Sequence, residues 1–175
     1  MRIGVDFDNT IVNTFQVSKK YLDMYMPKNT LKSYHELAKD KEIDFFSKNS
    51  ISITNDLSIN KGFKKFLSFC KKNDIKVILI SKRGYNFEPL VEATYKFLEK
   101  NNIHFDEVYC KITSKGEFCK LNDIDLMIDD LDIELKKVED YGIRVLKYGS
   151  KSDKYEYALS WNEVLEFIQK GLKWE

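Results

Sequence analysis

The sequence predicts an α/β fold in which a parallel sheet lies between two layers of helices. Short runs rich in Val, Ile and Leu lack polar alternation, which is typical of strands buried on both faces. These runs alternate with segments of helical periodicity, and that order favours a three-layer Rossmann-like sheet. One long interval, residues 7–74, predicts a small helical cap inserted after the first strand.

Five apolar runs are predicted to form the strands. Residues 2–6 open the fold at once, without the apolar run and small-residue cleavage site of a signal peptide, so we expect none. The other four runs are residues 75–80, 107–110, 125–128 and 143–146.

Four segments place apolar residues on one face of a helix. Pro89 stands where a first helical turn begins, and Ser160 with Glu163 has the spacing of a capping box. The predicted stripes are Ile59, Phe63, Phe66, Leu67 and Cys70 within residues 56–72; Leu90, Thr94, Phe97 and Leu98; Leu131, Leu135 and Val138; and Trp161, Val164, Leu165, Ile168 and Leu172.

The long interval divides the predicted architecture into two parts. Residues 1–13 and 56–175 form the core domain, and residues 14–55 form the small helical cap. Six aromatic residues of the cap either stack on a nucleobase or form the cap's own core. They are Phe15, Tyr21, Tyr25, Tyr34, Phe45 and Phe46.

Composition argues against several classes of partner. The net charge is +1, from 29 basic and 28 acidic residues, which gives no electrostatic basis for binding a nucleic acid polymer or a membrane surface. No segment has the apolar length of a membrane span. Cys70, Cys110 and Cys119 form no close pair, which favours a reduced, cytoplasmic protein. A monomer or a homodimer is expected. His35 and His104 show no metal spacing.

Polar residues follow three of the predicted strands. In open parallel sheets, ligands bind beyond the carboxyl ends of the strands. Asp6 and Asp8 follow the first strand, Ser81 follows the second, and Asp129 with Asp130 follows the fourth. Carboxylates brought together at a buried edge repel one another, and a hard cation such as Mg²⁺ relieves that repulsion.

Four motifs on these elements resemble those of the haloacid dehalogenase-like superfamily. The first is Asp-x-Asp-x-Thr after the first strand, and the second is a Ser or Thr that ends the second strand. The third is a Lys ahead of the fourth strand, and the fourth is an acidic pair that ends it. The matching residues are Asp6, Asp8 and Thr10; Ser81; Lys115; and Asp129 and Asp130. The resemblance covers nearly the whole chain, although the cap carries no motif.

The resemblance implies a magnesium-dependent phosphohydrolase. Asp6 would attack phosphorus and form an aspartyl-phosphate, while Asp8 would protonate the leaving group and then activate water. A second Asp at that position goes with phosphohydrolases, whereas dehalogenases of the superfamily lack it. Mg²⁺ would be held by the Asp6 side chain, the Asp8 backbone carbonyl and Asp129, with Asp130 in support.

The same resemblance implies a set of phosphate-binding residues. Thr10 and Ser81 would contact the phosphoryl group, and Lys115 would offset its charge. Lys120 is the alternative to Lys115, which is favoured because residues 115–119 look like the start of a helix in small nucleotidase-like members. Arg83 either binds a phosphate or second substrate charge, or is a solvated surface residue.

The resemblance favours hydrolysis of a small phosphorylated metabolite. The early insertion, the Ser-x-Arg stretch at Ser81 and the Lys-x-Glu-x-Cys stretch at Lys115 look like the 5′(3′)-deoxyribonucleotidase-like branch. A (deoxy)nucleoside monophosphate is therefore the expected substrate, and a sugar phosphate is the alternative. A different class remains open, in which an inactive domain of this fold binds a phosphate ligand or a protein.

Overall fold

A computed structural model describes residues 1–27, 31–32 and 36–172, and the side chain of Leu172 lies outside that description. Tyr34 and His35 also lie outside the described residues. Six parallel strands form one sheet in the order β3-β2-β1-β4-β5-β6. The strands are β1 (Arg2–Val5), β2 (Lys76–Ile80), β3 (Glu107–Tyr109), β4 (Leu126–Asp129), β5 (Arg144–Tyr148) and β6 (Tyr157–Ala158).

Seven α-helices connect and flank these strands in the described ranges. Two of them lie between β1 and the helix that leads into β2, where the cap was predicted. The helices are α1 (Thr14–Tyr25), α2 (Lys39–Asp56), α3 (Phe63–Lys72), α4 (Pro89–Lys100), α5 (Lys115–Leu121), α6 (Asp132–Glu139) and α7 (Trp161–Leu172). The predicted α/β fold with its helical insertion is thereby confirmed.

Helices cover both faces of the sheet. Ile3 and Val5 of β1 face the larger core cluster, which includes buried residues of α3, α4 and α7. The smaller cluster lies on the opposite face under α5 and α6, and it includes Ile80 and Met127. Gly4 permits this packing, because a Cβ there would lie 2.7 Å from the Ile80 Cδ1 atom and 2.8 Å from the Met127 Sδ atom. The three layers therefore follow from strand alternation.

Three local predictions differ from the structure. Strand β6 was not predicted, because its two residues are too few to show a pattern. Ile59 is not helical but pairs with Val12 in an antiparallel bridge, since Gly62 at φ +95° delays the start of α3 until Phe63. Leu131 precedes α6 and is exposed rather than buried in its stripe.

The inserted helices share the core of the sheet. Buried Val17 of α1 and Ile53 of α2 belong to the same apolar cluster as the strands. The Tyr25 and Phe45 rings lie 5.5 Å apart, and Phe46 packs on Phe45, so these aromatics stabilise the helix pair. Phe15 is 47% exposed. The division into a core of residues 1–13 and 56–175 and a cap of residues 14–55 stays a prediction.

Three further sequence features concern membrane-spanning helices, cysteines and histidines. No helix in the described residues is both long and apolar enough to cross a membrane. Cys70, Cys110 and Cys119 are free thiols, and His104 is exposed. Burial raises the pKa of the Cys70 and Cys119 thiols to about 12, so both remain protonated at neutral pH.

The contact between α5 and α6 allows a test of the packing. A Cβ on Gly116 would lie 2.2 Å from the Lys137 carbonyl oxygen, so Gly116→Ala must push two backbones apart. We expect this change to lower the free energy of unfolding by about 1–3 kcal/mol in denaturant titrations. Gly171→Ala in α7 is the control, because its Cβ meets open space and should be neutral or slightly stabilising. Equal loss in both variants would contradict the close helix contact.

Candidate active site

Three adjacent strands bring polar residues together at one edge of the sheet. β1 lies between β2 and β4, and Asp6, Ser81 and Asp129 stand at their carboxyl ends. The Asp6 amide donates to the Ile128 carbonyl at 3.0 Å, which extends the β1–β4 ladder through Asp6. All three side chains are almost fully buried. Their backbones are therefore held by the most central strands of the fold.

Lys115 joins the two buried aspartates. It is the first residue of α5, and its Nζ atom donates to Asp6 Oδ1 at 2.5 Å and to Asp129 Oδ2 at 2.6 Å. Its side chain is 3% exposed. Lys120, the alternative in the sequence, is exposed on the same helix. The structure thus places Lys115, and not Lys120, against the aspartates.

Burial and like charge set the electrostatics of this cluster. Burial lowers the pKa of Lys115, but the charges of Asp129 and Asp6 outweigh it and hold the pKa well above its usual range. Burial raises the pKa of Asp6, Lys115 opposes that rise, and the carboxylates of Asp129, Asp8 and Asp130 add to it, so the net direction is upward. The cluster therefore carries more negative charge than Lys115 neutralises.

The acidic side chains could hold a divalent cation. Asp6, Asp129 and Asp130 each offer a carboxylate oxygen, and these oxygens lie within 4.8 Å of one another. Burial, followed by the charge of Asp129, raises the pKa of Asp130 to about 7. Four carboxylates face two cations here, which leaves two excess negative charges when all are ionised. The residues are Asp6, Asp8, Asp129 and Asp130 against Lys115 and Arg83.

Asp8 is held through one of its two oxygens. Its Oδ1 atom accepts the Thr14 hydroxyl at 2.6 Å and a guanidinium N–H of Arg83 at 2.6 Å. The Oδ2 atom has no hydrogen bond to the described part of the chain. The side chain is 33% exposed, so a ligand can approach Asp8.

Ser81 and Thr10, the other two predicted phosphate-binding residues, differ in their hydrogen bonds. Ser81 Oγ accepts the Arg83 amide at 3.3 Å, and its own hydroxyl hydrogen has no acceptor among the described residues. Thr10 is fully buried, its Oγ1 atom has no partner within that same part of the chain, and its carbonyl accepts Trp161 Nε1 at 3.1 Å. Ser81 is thus free to donate to an anion, while the phosphate contact of Thr10 stays a prediction.

Arg83 is buried rather than solvated. Its Nε atom donates to Thr94 at 3.0 Å, and its other N–H groups reach Asp8 and Thr54. The guanidinium carbon lies 4.7 Å from the centre of the Phe7 ring. Sequence reasoning selected Arg83 from its spacing to Ser81 but missed these partners, because no motif marks Thr54 or Thr94.

A second ion cluster lies next to the loop after β2. Lys82 and Lys137 both donate to Glu134 Oε1 at 2.8 Å, and Glu134 is buried in α6. Burial raises the pKa of Glu134, but the two lysines outweigh it and hold the pKa below its usual range. This cluster ties the Ser81 loop to α6, and the sequence analysis did not predict it.

Known structures share this fold, although no family model and no curated protein matches the sequence. A predicted phosphatase from Clostridium acetobutylicum has a TM-score of 0.73 at 13% identity, over 97% of this chain and 98% of that one. A haloacid dehalogenase-like hydrolase from Streptococcus pneumoniae has a TM-score of 0.71 at 13% identity, over 95% and 97%. A HAD-superfamily hydrolase from Ehrlichia chaffeensis has a TM-score of 0.63 at 16% identity, over 97% and 96%.

These likenesses show that the protein has the fold of haloacid dehalogenase-like hydrolases. The alignments run over nearly the full length of both chains, so the inserted helices are included. At such low identity they establish the fold, whereas activity depends on the residues of the site itself.

Removing the Lys115 cation should destabilise the protein. Lys115→Met leaves Asp6 and Asp129 facing each other without compensation, and breaking a buried ion pair in this way costs about 3–5 kcal/mol. We expect that loss in the free energy of unfolding, measured in EDTA. Lys120→Met on the same helix is exposed and should change it by less than about 0.5 kcal/mol. A smaller loss for Lys115→Met than for Lys120→Met would refute the placement of Lys115.

Proposed function

We propose that the protein is a magnesium-dependent phosphomonoester hydrolase that acts through an aspartyl-phosphate. The observation that carries this proposal is the buried Lys115 ammonium between Asp6 and Asp129 at the carboxyl edge of the sheet. It pairs with Asp6 through Oδ1, which leaves Asp6 Oδ2 outside the ion pair. A carboxylate held in this way is oriented for attack.

In the first half-reaction, an Asp6 oxygen attacks phosphorus and the bond from phosphorus to the leaving oxygen breaks. Asp8, in its protonated form, gives its proton to that leaving oxygen, so an alcohol departs. Ser81 donates its hydroxyl hydrogen to a phosphoryl oxygen, and Lys115 offsets the charge of the group in transfer. The products of this step are an alcohol and the aspartyl-phosphate.

In the second half-reaction, water attacks phosphorus and the bond between Asp6 and phosphorus breaks. The Asp8 carboxylate takes a proton from that water, so inorganic phosphate leaves and both aspartates return to their starting states. Asp8 thus alternates between acid and base, and its open Oδ2 atom is the one suited to both transfers.

The acidic cluster fits a resident Mg²⁺ ion. Asp6, Asp129 and the Asp8 backbone carbonyl would hold it, with Asp130 beside them. When bound, Mg²⁺ would supply positive charge to the phosphoryl oxygens. The excess of carboxylates over cations supports this assignment, because carboxylate and carbonyl oxygens suit Mg²⁺.

A (deoxy)nucleoside monophosphate is the substrate class we propose. Support comes from the stretches at Ser81 and Lys115, which look like those of deoxyribonucleotidases, and from the Phe15 ring. Phe15 is exposed, its amide donates to Asn9 Oδ1 at 2.6 Å, and both residues line one cavity next to the loop that carries Asp8. A sugar phosphate is the alternative that shares the same site. An inactive phosphate-binding domain is the third possibility, and it predicts no turnover.

Phosphate release with Mg²⁺ and with EDTA tests the proposed chemistry. Across nucleoside monophosphates, sugar phosphates and an aryl phosphate, we expect release that requires Mg²⁺ and favours nucleotides. Asp6→Asn should lower kcat by roughly 10⁴-fold or more, because the nucleophile is lost. Asp123→Asn, an exposed carboxylate near the amino edge of the sheet, should remain active. An Asp6→Asn variant that keeps wild-type turnover would remove Asp6 from its role.

Magnesium binding should stabilise the folded protein. At Mg²⁺ concentrations about 100-fold above Kd, binding adds about 2.7 kcal/mol, which corresponds to a rise in Tm of about 5–10 °C. Asp129→Ala should abolish the rise, and Asp123→Asn should retain it. Thermal melts with and without Mg²⁺ measure both. Equal rises in wild type and Asp129→Ala would place the ion elsewhere.

A further inference from the structure

We propose that Arg83 is the positioning residue for Asp8, and that it directs the Asp8 Oδ2 atom toward the leaving group. This inference rests on the proposed phosphohydrolase function, because it assigns a partner to the acid and base of that reaction. It gives Arg83 a role distinct from the direct contact with substrate that its spacing to Ser81 suggests.

The guanidinium is held from three directions. Nε donates to Thr94 of α4, Nη1 donates to Asp8, and Nη2 donates to Thr54 of α2. The plane also lies over Phe7, which is fully buried between the two aspartates of the loop. These bonds use three of its five N–H groups, and because Arg83 is only 8% exposed, little of the guanidinium can reach a substrate.

Arg83 orders Asp8 by acting on a single oxygen. Asp8 Oδ1 accepts both the Arg83 N–H and the Thr14 hydroxyl, and two donors fix the plane of the carboxylate. The Oδ2 atom, which has no hydrogen bond to the described residues, is left as the site of proton transfer. The planar fork of Arg83 suits this role, because one rigid group can reach Thr54, Thr94 and Asp8 together.

Thr54 connects this arrangement to the inserted helices. It lies in the last turn of α2, is fully buried, and donates its own hydroxyl to the Ser50 carbonyl at 2.8 Å. Its oxygen therefore faces the Arg83 N–H. Thr14 is the first residue of α1. Asp8 is thus tied, directly or through Arg83, to both ends of the insertion.

A role in positioning Asp8 makes a specific kinetic prediction. Alkyl phosphates expel a poor alkoxide and need the Asp8 proton, whereas nitrophenyl phosphate expels a stable phenolate and hardly needs it. The value of kcat/KM reports only the steps up to formation of the aspartyl-phosphate, so it isolates proton donation from the later use of Asp8 as a base.

The experiment compares kcat/KM for a nucleoside monophosphate, phenyl phosphate and nitrophenyl phosphate in wild type, Arg83→Met and Arg83→Lys. Arg83→Met should lose about 100-fold or more with the nucleotide and less than about 10-fold with nitrophenyl phosphate. Arg83→Lys should recover part of the kcat/KM that Arg83→Met loses with the nucleotide, because its ammonium can still reach Asp8. The control is Arg144→Met, since Arg144 also pairs with one carboxylate and lies over one ring, but at the start of β5. It should leave all three values unchanged.

Thr54→Val provides the test if the Arg83 variants do not fold. It keeps the shape of the side chain, removes the acceptor for Arg83 and leaves Asp8 intact. Its kcat/KM should also fall more with the nucleotide than with nitrophenyl phosphate, although by less than in Arg83→Met. Equal losses of kcat/KM with all three substrates, in a variant that is folded and active, would overturn the positioning role of Arg83 and leave the proposed function standing. Absence of turnover in wild type, with every substrate and with Mg²⁺, would overturn the proposed function and this inference with it.

Discussion

The requirement that buried charge be compensated governs the organisation of this molecule. Lys115 starts α5, where the helix dipole disfavours a cation by about 0.3–1 kcal/mol, yet it is buried there between Asp6 and Asp129. The two ion pairs outweigh that penalty, because isolated buried carboxylates would cost several kcal/mol each. The lysine still does not balance the cluster, and the remaining negative charge is what a divalent cation could offset.

The sheet brings these charges together through its topology. Strands β2 and β3 lie on one side of β1, and strands β4, β5 and β6 lie on the other. The crevice of an open parallel sheet forms where the strand order reverses, here between β1 and β4. Asp6 and Asp129 end those two strands, so their proximity is a consequence of the strand order and not of their sequence separation.

The loop after β1 is held by parts of the chain that are distant in sequence. Trp161 and Asn60 both donate to the Thr10 carbonyl, while Arg83 and Thr14 both donate to Asp8. These bonds hold the loop rigidly, and the proposed reaction requires a rigid support for Asp6 and Asp8. The inserted helices take part in this support, because they share one apolar core with the sheet.

The sequence by itself determined five of the six strands, their parallel arrangement and the residues at their carboxyl ends, because burial on both faces and the order of elements leave local patterns. Strand-end residues such as Asp6 and Asp129 were therefore predictable. The resemblance favoured Lys115 over Lys120, but only the tertiary structure placed Lys115 against the aspartates and gave the partners of Arg83. Both lysines fit the same helix, and only the direction in which each side chain leaves that helix separates them. Contacts such as that of Arg83 with Thr54 join distant segments, and no local pattern records them.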